Sequence, residues 1–430
     1  MDSKLNDISR RSFLQRSSGV AAATAFTIVK PELVRGAGQE KLKAGLIGCG
    51  GRGTEAVMNM MDGTENVELV AMADIFEDRL EGSIRNITEK SPKAAKYKER
   101  VKVDGEHRFV GFDAYTKLIG SDVDIVMLAT PPGYRPMHFE AAVNAKKHVF
   151  CEKPFGTDPV NVRRFMDAAK KSEELKLTVV SGAQRRSQKE YIETIDKIKN
   201  GEIGDVVATY GYWVGTPVVQ QRDGRNPKWG DMEWQHRNWY SYVWICGDQV
   251  VEQHLHNIDV IHWVMGQTPA KVWAQGGAIW RPRTDIYGNI YDHLSAEFTF
   301  PNGVKMSSYC RQYPTDRGVK MYQNVSEFVV GSKGKSNCHD MGAKGINPYV
   351  AEHTKLIASI RGDGPYVNEA MEVANSTMMC IMARESAYSG QEITWDQIMN
   401  SKLDLFPKAF GYDIKMDYPP LPIPGEYKFI

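Results

Sequence analysis

Three glycines near the start of the chain restrict its fold more than any other feature of the sequence. Gly48, Gly50 and Gly53 form a G-x-G-x-x-G pattern that follows an apolar stretch, residues 41–49, and precedes a helix-like stretch, residues 54–61. In such a unit the first glycine makes a tight turn, the second admits a pyrophosphate to the backbone, and the third lets the helix pack closely on the strand. The N–H groups of the helix N-terminus favour the anion. The pattern predicts a dinucleotide-binding strand–turn–helix unit.

A second apolar stretch ends in the acidic residue that this pattern requires. Residues 67–73 are typical of a strand, and Asp74 follows them about 20 residues beyond Gly53. A carboxylate at this position accepts a hydrogen bond from the ribose 2′-OH and repels a 2′-phosphate. The sequence therefore favours NAD as the cofactor, and Arg79 nearby keeps NADP as the alternative.

Strands and helices alternate as far as residue 153. Residues 124–130 are typical of a buried strand that ends at a Pro-Pro pair, residues 138–146 of a helix and residues 147–151 of a further strand. This alternation predicts an α/β fold with a doubly wound parallel sheet of the Rossmann type. Ligands of such sheets lie at the carboxyl ends of the strands. The residues at these ends are Gly48, Asp74, Thr130, Glu152 and Lys153.

Length and composition limit the remaining possibilities. A chain of 430 residues is too long for one ordinary core, so we expect two domains. The formal net charge of +1 gives no electrostatic reason to expect nucleic acid as a partner. The sequence has no apolar run of the ~18 residues that a transmembrane helix needs. The six cysteines are scattered without a C-x-x-C pair, which favours buried thiols over a zinc site or a disulfide framework.

The first forty residues are typical of a targeting segment. Residues 9–14, SRRSFL, look like a twin-arginine export signal, and a weakly apolar stretch of small residues, 19–29, follows. Because that route carries folded proteins, we expect a periplasmic protein that captures its nucleotide before export. Gln15 stands where lysine is usual, and a membrane-tethered signal is the alternative because no clear A-x-A cleavage site is present.

The end of the parallel-sheet region carries a family resemblance. The glycine loop, A-T-P-P at residues 129–132 with His138 downstream, and H-V-F-C-E-K-P at residues 148–154 together resemble the Gfo/Idh/MocA oxidoreductases over residues 41 to about 389. The resemblance implies further contacts to the cofactor. The residues then expected to bind it are Gly48, Cys49, Gly50, Gly51, Arg52, Gly53, Asp74, Arg79, Thr130, Pro131, His138, Glu152 and Lys153.

The family also implies a second, α+β domain with a large open mixed β-sheet that closes over the nicotinamide and mediates oligomers. We therefore expect a signal and linker in residues 1–40, an NAD-binding Rossmann domain in 41–154, and a substrate-binding and oligomerisation domain in 155–430 of a homodimer or homotetramer. The predicted strands are residues 177–181, 206–214, 272–279, 294–300, 304–310 and 326–330, with a hairpin turn at 301–303. The predicted helices are residues 352–361 and 369–386, and the proline-rich tail, 419–430, is expected to be extended.

The reaction centre is expected at Lys153 and in the segment 247–259. A lysine between a buried strand and a proline is poorly explained by solvation, so we interpret Lys153 as a donor to the substrate oxygen and to the ribose. The family pattern of an acid, a histidine four residues later and an aspartate three beyond that falls on Glu252, His256 and Asp259. On one helix Glu252 and His256 would share a face, and the carboxylate would orient His256 as the general base. The family more often has aspartate where Glu252 stands.

A metal site is the alternative for the same segment. Glu252, His254 and His256 are residue types that bind divalent ions. If the segment is helical, however, His254 and His256 do not face each other, so the helical interpretation argues against a shared ion. An extended segment would place both on one face. We predict no metal.

Aromatic and polar residues point to a sugar-like substrate. Tryptophans crowd residues 229–244 together with His236, Arg237 and Asn238. An indole ring can stack on the apolar face of a pyranose while polar side chains bind its hydroxyls, although each tryptophan is equally well explained by packing. Of Arg185 and Arg186 we expect at least one at the surface. The residues expected to bind substrate are Lys153, Arg185, Trp239, Tyr240, His254, His256 and Asp259.

Three functions are compatible with these residues. The favoured one is an NAD(P)-dependent oxidoreductase that transfers hydride between a hydroxyl of a sugar, polyol or glycoside and the nicotinamide. The second is a glycoside-cleaving enzyme in which tightly bound NAD is reduced and reoxidised within each cycle. The third is a non-catalytic sensor of a sugar or of the cofactor.

Overall fold

The computed structural model of the chain describes residues 40–315 and 318–430. The predicted twin-arginine signal lies outside these residues. No helix in the described part of the chain is long and apolar enough to cross a membrane. All six cysteines are described, and each is a buried free thiol, as the sequence predicts.

Six parallel strands form the first sheet. They are β1 (Leu42–Ile47), β2 (Val67–Asp74), β3 (Arg108–Val110), β4 (Ile125–Leu128), β5 (His148–Cys151) and β6 (Val179–Ser181). Their order is β3-β2-β1-β4-β5-β6, and every neighbouring pair is parallel. All four residues of β4 are fully buried, as expected of a central strand covered on both faces. The predicted doubly wound sheet is confirmed.

Helices connect these strands and cover the sheet. They are α1 (Gly51–Gly63), α2 (Glu77–Arg85), α3 (Ala94–Lys98), α4 (Ala114–Ile119), α5 (Arg135–Asn144) and α6 (Pro159–Glu174). The start of α6 shows how the sequence determines a boundary: the Asp158 side chain accepts from the N–H of Asn161, and Pro159 occupies the first helical position, where no N–H is needed. The buried face of this helix includes Phe165, which stacks on Phe139 of α5 with ring centroids 4.0 Å apart.

The first sheet continues beyond the boundary predicted after residue 154. The stretch 177–181, predicted as part of the second domain, forms β6, and Val179 pairs in parallel with Val149 of β5. Its valines are buried like those of β5, and the length of α6 is what a parallel crossover requires. The first sheet therefore extends beyond residue 154 and ends at Ser181.

Seven strands form the second sheet. They are β7 (Val206–Gly215), β8 (Lys271–Gly277), β9 (His293–Thr299), β10 (Lys305–Gln312), β11 (Asn324–Gly331), β12 (Lys335–Ser336) and β13 (Ile393–Thr394). The order is β12-β11-β7-β10-β9-β8-β13, with β7 and β10 parallel and the other neighbours antiparallel. The predicted mixed sheet is thus confirmed, and so is the hairpin turn at 301–303, where Gly303 has a φ of +83°.

The remaining helices pack on one face of this sheet or return to the first domain. They are α7 (Lys189–Lys199), α8 (Asp231–Arg237), α9 (Val243–Cys246), α10 (Gln249–Glu252), α11 (Leu255–Met265), α12 (Pro348–Arg361), α13 (Ala370–Ser389) and α14 (Trp395–Asn400). Most of α13 is buried beneath the sheet. By contrast, α12 returns to α1, where the Thr354 hydroxyl donates to the carbonyl of Gly63. The C-terminal half of the chain therefore supports both domains.

Candidate active site

A cleft of about 680 Å³ lies between the carboxyl ends of the parallel strands and the C-terminal half of the chain. Most of the predicted site residues line it. They are Gly48, Gly50, Gly51, Arg52, Gly53, Asp74, Arg79, Thr130, Pro131, Glu152, Lys153, Trp239, Glu252 and His256. The predicted residues outside its lining are Cys49, His138, Arg185, Tyr240, His254 and Asp259.

The glycine loop has the shape that a bound pyrophosphate requires. Gly48 has a φ of +96°, and a Cβ added there would lie 2.6 Å from the backbone of Ala129. A Cβ at Gly53 would lie 2.0 Å from the carbonyl oxygen of Gly48, so only glycine lets α1 pack this closely. A Cβ at Gly50 would meet no protein atom and would occupy the space that the ligand approaches. No side chain caps the N-terminus of α1, which leaves its N–H groups available to an anion.

The different surroundings of Gly53 and Gly50 predict different effects of alanine at the two positions, one on stability and one on NAD binding. Gly53→Ala should lower the melting temperature of the protein by several degrees, because the loop must move to relieve a 2.0 Å contact. Gly50→Ala should leave the melting temperature nearly unchanged but weaken NAD binding by about tenfold or more, since the methyl group blocks the phosphates. Thermal unfolding without cofactor and calorimetric titration with NAD separate the two effects. Equal melting temperatures for both variants would contradict this assignment of the two glycines.

Asp74 lines the cleft at the end of β2, as predicted for the acidic residue of the pattern. It ends β2, and its carboxylate accepts from the N–H of Cys49 at 2.7 Å and from the N–H of Phe76 at 2.9 Å. These two contacts aim the side chain at the cleft. Burial raises the pKa of Asp74 above its usual value. Cys49 thus acts through its backbone, and its thiol is buried. The donor and acceptor groups of this end of the cleft fit NAD.

His138 lies in an apolar pocket next to the cleft rather than in its wall. Its ring stacks on Tyr115 with centroids 4.3 Å apart, and its Nδ1 is 3.3 Å from the hydroxyl of Thr130. Burial lowers the pKa of His138 to about 3, so the ring is neutral. Its contact with Thr130 suits a role in holding the end of β4 in place.

Arg52 of the glycine loop joins two acidic residues that are distant in sequence. Its guanidinium pairs with Glu152 at 2.5 Å and with Glu352 of α12 at 3.1 Å, and it lies 4.6 Å from the centre of the Tyr349 ring. Burial, followed by the negative charge of Glu152, raises the pKa of Glu352 well above its usual value. Glu352 and Tyr349 could not be predicted as site residues, because no local pattern links α12 to a loop about 300 residues earlier.

Lys153 and Glu252 meet in the wall of the cleft. The ammonium group of Lys153 donates to the main-chain carbonyl of Glu252 at 2.5 Å and to its carboxylate at 3.2 Å. Both side chains are 9% exposed, so the pair is shielded from bulk water but reaches the cleft. Lysine has a third N–H, which remains for a ligand oxygen.

His256 faces the same cleft without the predicted carboxylate partner. Residues 253–254 form a turn between α10 and α11, so Glu252 and His256 do not share one helix, and the carboxylate bonds to Lys153 instead. The structure therefore does not show the expected Glu252–His256 dyad. The ring of His256 stacks on Trp213 with centroids 5.7 Å apart, and its Nδ1 has no hydrogen-bond partner among the described residues. Burial, followed by the charge of Lys153, lowers the pKa of His256 well below 6.5.

His254 belongs to the packing between α11 and the second sheet. Its Nε2 is 2.7 Å from the hydroxyl of Ser308 and its Nδ1 is 3.1 Å from the side chain of Asn257, so both ring nitrogens are occupied. Among the described residues no group of three or more His, Cys, Asp or Glu side chains could hold a metal ion. His254 therefore neither contacts the cleft nor joins Glu252 and His256 around an ion.

Two predicted substrate contacts are structural ion pairs. Asp259 accepts two hydrogen bonds from Arg186 at 2.8 Å, and Arg185 pairs with Glu327 of β11. The side chains of Arg185 and Arg186 are only 11% and 8% exposed, so the expectation that one lies at the surface was wrong. These pairs fasten the segment after β6 to α11 and to the second sheet.

The wall opposite the glycine loop is polar and aromatic. Trp239 lines the cleft as predicted, whereas Tyr240 is buried behind it and accepts from Gln312 at 2.9 Å. Three amides that the sequence analysis missed also line the cleft: Gln220, Gln221 and Gln253. Gln220 and Gln221 sit in an irregular segment without a motif, whereas Gln253 lies within the segment 247–259, where the acid–histidine pattern gives it no role. Amides and an indole are suited to hydroxyl groups on a compact ring.

Comparison with known proteins identifies both domains. The model of the oxidoreductase family with an NAD-binding Rossmann fold matches residues 42–180, and the GFO/IDH/MocA C-terminal domain matches residues 191–336. The inositol 2-dehydrogenase of Salmonella typhimurium is 26% identical over 227 residues, 53% of this chain and 55% of that protein. The myo-inositol 2-dehydrogenase of Thermotoga maritima is 24% identical over 238 residues, 55% of this chain and 59% of that protein. The matches thus span little more than half the length of these curated relatives.

Solved structures share the fold. The scyllo-inositol dehydrogenase from Lactobacillus casei, solved with NAD(H) and scyllo-inositol, has a TM-score of 0.61 at 17% identity and covers 83% of this chain and 99% of its own. The WlbA dehydrogenase from Bordetella pertussis, in complex with NADH and UDP-GlcNAcA, has a TM-score of 0.60 at 19% identity and covers 83% and 99%. With both domain models matched in order along one chain, this protein belongs to the Gfo/Idh/MocA family of NAD-binding oxidoreductases.

Proposed function

We propose that the protein is an NAD-dependent dehydrogenase that oxidises a secondary hydroxyl of a cyclic polyol or sugar. The observation that carries this proposal is that Lys153 and His256 line one cleft with the glycine loop and Asp74. Alcohol oxidation needs a proton acceptor and a group that stabilises the developing alkoxide, next to a hydride acceptor. NAD, when bound, accepts the hydride from the substrate carbon.

His256 is suited to take the hydroxyl proton. A base must be unprotonated before the reaction, and burial together with the charge of Lys153 keeps the imidazole neutral at physiological pH. Its Nδ1 has no partner among the described residues. The stacked indole of Trp213 holds the plane of the ring. His256 is thus a neutral, partly exposed imidazole in the wall of the cleft, which can receive a proton.

Lys153 is suited to hold the substrate oxygen. The ammonium group is fixed because it donates two hydrogen bonds to Glu252, one to the main-chain carbonyl and one to the carboxylate. A preorganised cation near the reacting oxygen stabilises the alkoxide without any rearrangement during the reaction. The Glu252 carboxylate therefore acts through Lys153 and not through His256.

The cleft and the relatives support a ring-shaped, hydroxyl-rich substrate. Trp239 offers an apolar face, and Gln220, Gln221 and Gln253 offer neutral hydrogen-bonding groups on the same wall. Relatives matched over little more than half of this chain include proteins named inositol dehydrogenases. We propose an inositol or an unmodified sugar as the substrate class.

A substrate panel tests this proposal. The purified protein is mixed with excess NAD and with inositols, aldoses or glycosides, and absorbance at the NADH band is followed. The expected result is NADH well beyond the enzyme concentration with a cyclic polyol or an aldose. Consumption of a glycoside with no NADH beyond the enzyme concentration would contradict a dehydrogenase and identify the closed-cycle glycoside-cleaving alternative.

We also propose that the chain acts as an oligomer through the outer face of its second sheet. This face carries the aromatic residues Tyr210, Tyr212, Trp273, Tyr309 and Phe328. Trp273 is 48% exposed and Tyr309 is 43% exposed, and exposed aromatic residues on one face of a sheet are candidates for an interaction surface. Light scattering should give a dimer or tetramer, and Trp273→Glu should shift it toward the monomer.

Export is the third part of the proposal. The SRRSFL segment at residues 9–14 supports transport of the folded, NAD-loaded protein by the twin-arginine route to the periplasm. Replacing Arg10 and Arg11 with lysines should retain the protein in the cytoplasm, as measured by cell fractionation.

A further inference from the structure

The C-terminal half of the chain reaches across the cleft far from the reaction centre. Asp74 lies at the end of β2, next to the end of β3, where we expect the ribose of the adenosine half of the cofactor. Lys153 follows β5, which is separated from β2 by β1 and β4. Arg237, the last residue of α8, lines the cleft at this adenosine end together with Phe76. A residue of the second domain thus forms part of the wall around the adenosine.

Arg237 makes a dense set of contacts across the gap. Its guanidinium lies 3.9 Å from the centre of the Phe76 ring and donates to the carboxylate of Asp78 at 3.1 and 3.2 Å. It also donates to Glu233 of its own helix at 2.8 Å, which fixes its direction. The arginine side chain is only 14% exposed, although Asp78 is 62% exposed. In this contact Arg237 is therefore largely buried, whereas Asp78 is open to water.

Tyr412 crosses the same gap from the segment that follows α14. Its hydroxyl donates to the carbonyl of Ile75, the residue directly after Asp74. Its ring lies 5.2 Å from that of Phe112, which follows β3, and 6.1 Å from that of Phe76. Phe410 of the same segment stacks on Phe112 with centroids 5.8 Å apart. A second element of the C-terminal half therefore covers the ends of β2 and β3.

A third contact lies at the floor of this end of the cleft. His236 accepts a hydrogen bond at Nε2 from the hydroxyl of Tyr134, at 2.6 Å, because its Nδ1 donates to the carbonyl of Met232. Burial lowers the pKa of His236 to about 4, so the neutral tautomer persists at physiological pH. This contact ties α8, and with it Arg237, to the segment after β4.

We propose that Arg237 and Tyr412 form a clasp over the adenosine end of the cleft, which must open before NAD can enter or leave. The clasp can open without unfolding a strand or helix. Asp78 is largely exposed, and Tyr412 is 36% exposed and belongs to an irregular segment. It governs exchange of the cofactor and leaves the reaction centre unchanged. The proposal depends on NAD binding alone and holds whichever polyol is the substrate.

The test measures cofactor release rather than activity. The protein is loaded with NADH, mixed rapidly with a large excess of NAD, and the loss of bound NADH fluorescence gives the dissociation rate. Arg237→Ala should release NADH about tenfold faster or more, because a cation–π contact and charge-assisted hydrogen bonds are lost. Tyr412→Phe, which removes only the hydroxyl, should accelerate release a few-fold.

Asp78→Asn separates a clasp from a direct ligand of NAD. Asp78 does not line the cleft, so its loss can affect release only through Arg237. We expect release to accelerate about two- to fivefold, as for a partly exposed ion pair, and to become less sensitive to salt than in the wild type. Asp167→Asn, an exposed acid paired with Lys170 on α6, is the matched control and should leave the rate unchanged.

The outcomes are distinct. Faster release in both Arg237→Ala and Asp78→Asn, with melting temperatures of the cofactor-free variants close to the wild type, supports the clasp. Faster release in Arg237→Ala alone would overturn it and make Arg237 a direct contact of the cofactor. Unchanged release in all three variants would also overturn it.

Discussion

Replacing Lys153 with methionine should lower kcat by about 10³-fold, the effect of removing one preorganised donor from a developing oxyanion. Methionine keeps most of the side-chain volume, so the buried surroundings of Lys153 remain filled. The loss should appear mainly in kcat, because the substrate also binds through Trp239 and the amides of the opposite wall. Steady-state kinetics with the substrate identified by the panel gives both parameters.

Two controls separate this chemical role from a structural one. Glu252→Gln keeps a hydrogen-bond acceptor next to Lys153 but removes the charge, so it should lower kcat by less than Lys153→Met does. Lys170→Met, at an exposed position of α6, should leave kcat unchanged. The assignment would be wrong if Lys153→Met kept kcat within about threefold of the wild type while remaining folded by circular dichroism.

Replacing His256 with asparagine should lower kcat/KM for oxidation by about 10²- to 10⁴-fold, the usual contribution of a general base. The wild-type pH profile should carry the signature of this base. Since burial and Lys153 lower the pKa of His256 well below 6.5, the imidazole is already unprotonated at pH 6.5. The rate should therefore stay level from pH 8 to 6.5 and fall only at more acidic pH.

The coupling between the two residues gives a sharper test of the pH profile. Lys153→Met removes a positive charge that lowers the pKa of His256, so the acid limb of its residual activity should move to higher pH than in the wild type. His107→Asn, at a half-exposed histidine bonded to Asp104 outside the cleft, is the control and should change neither rate nor profile. A wild-type acid limb centred above pH 6.5 would contradict the assignment of His256 as the base.

Local patterns predicted the parts of the site that depend on neighbouring residues. The glycine loop and Asp74 could be placed because their roles follow from backbone geometry at fixed spacing along one strand–turn–helix unit. Lys153 could be placed because it follows a buried strand of the same sheet. Five of the seven strands of the second sheet were found within a few residues, since alternation of buried and exposed positions is visible in the sequence. The two-residue strands β12 and β13 were not predicted, because they are too short to show such alternation.

Contacts between distant segments could not be predicted in the same way. An apolar run shows that residues 177–181 form a buried strand but not which sheet it joins. The break between α10 and α11 decides that His256 faces the cleft and His254 does not, and only tertiary packing shows it. Likewise, Arg185 finds its partner 142 residues later in Glu327. The same residue types occur in functional sites and in structural ion pairs. Only the partner of each side chain in the folded protein shows which role it has.

Transfer of a labelled hydride tests the central claim most directly. The protein is incubated with NAD and with myo-inositol or glucose carrying deuterium on every carbon, and the NADH formed is analysed by mass spectrometry. The account predicts NADH with one deuterium, formed in amounts beyond the enzyme concentration with at least one of the two compounds and greatly reduced in His256→Asn. Absence of deuterated NADH with both compounds, from protein that binds NAD, would contradict it.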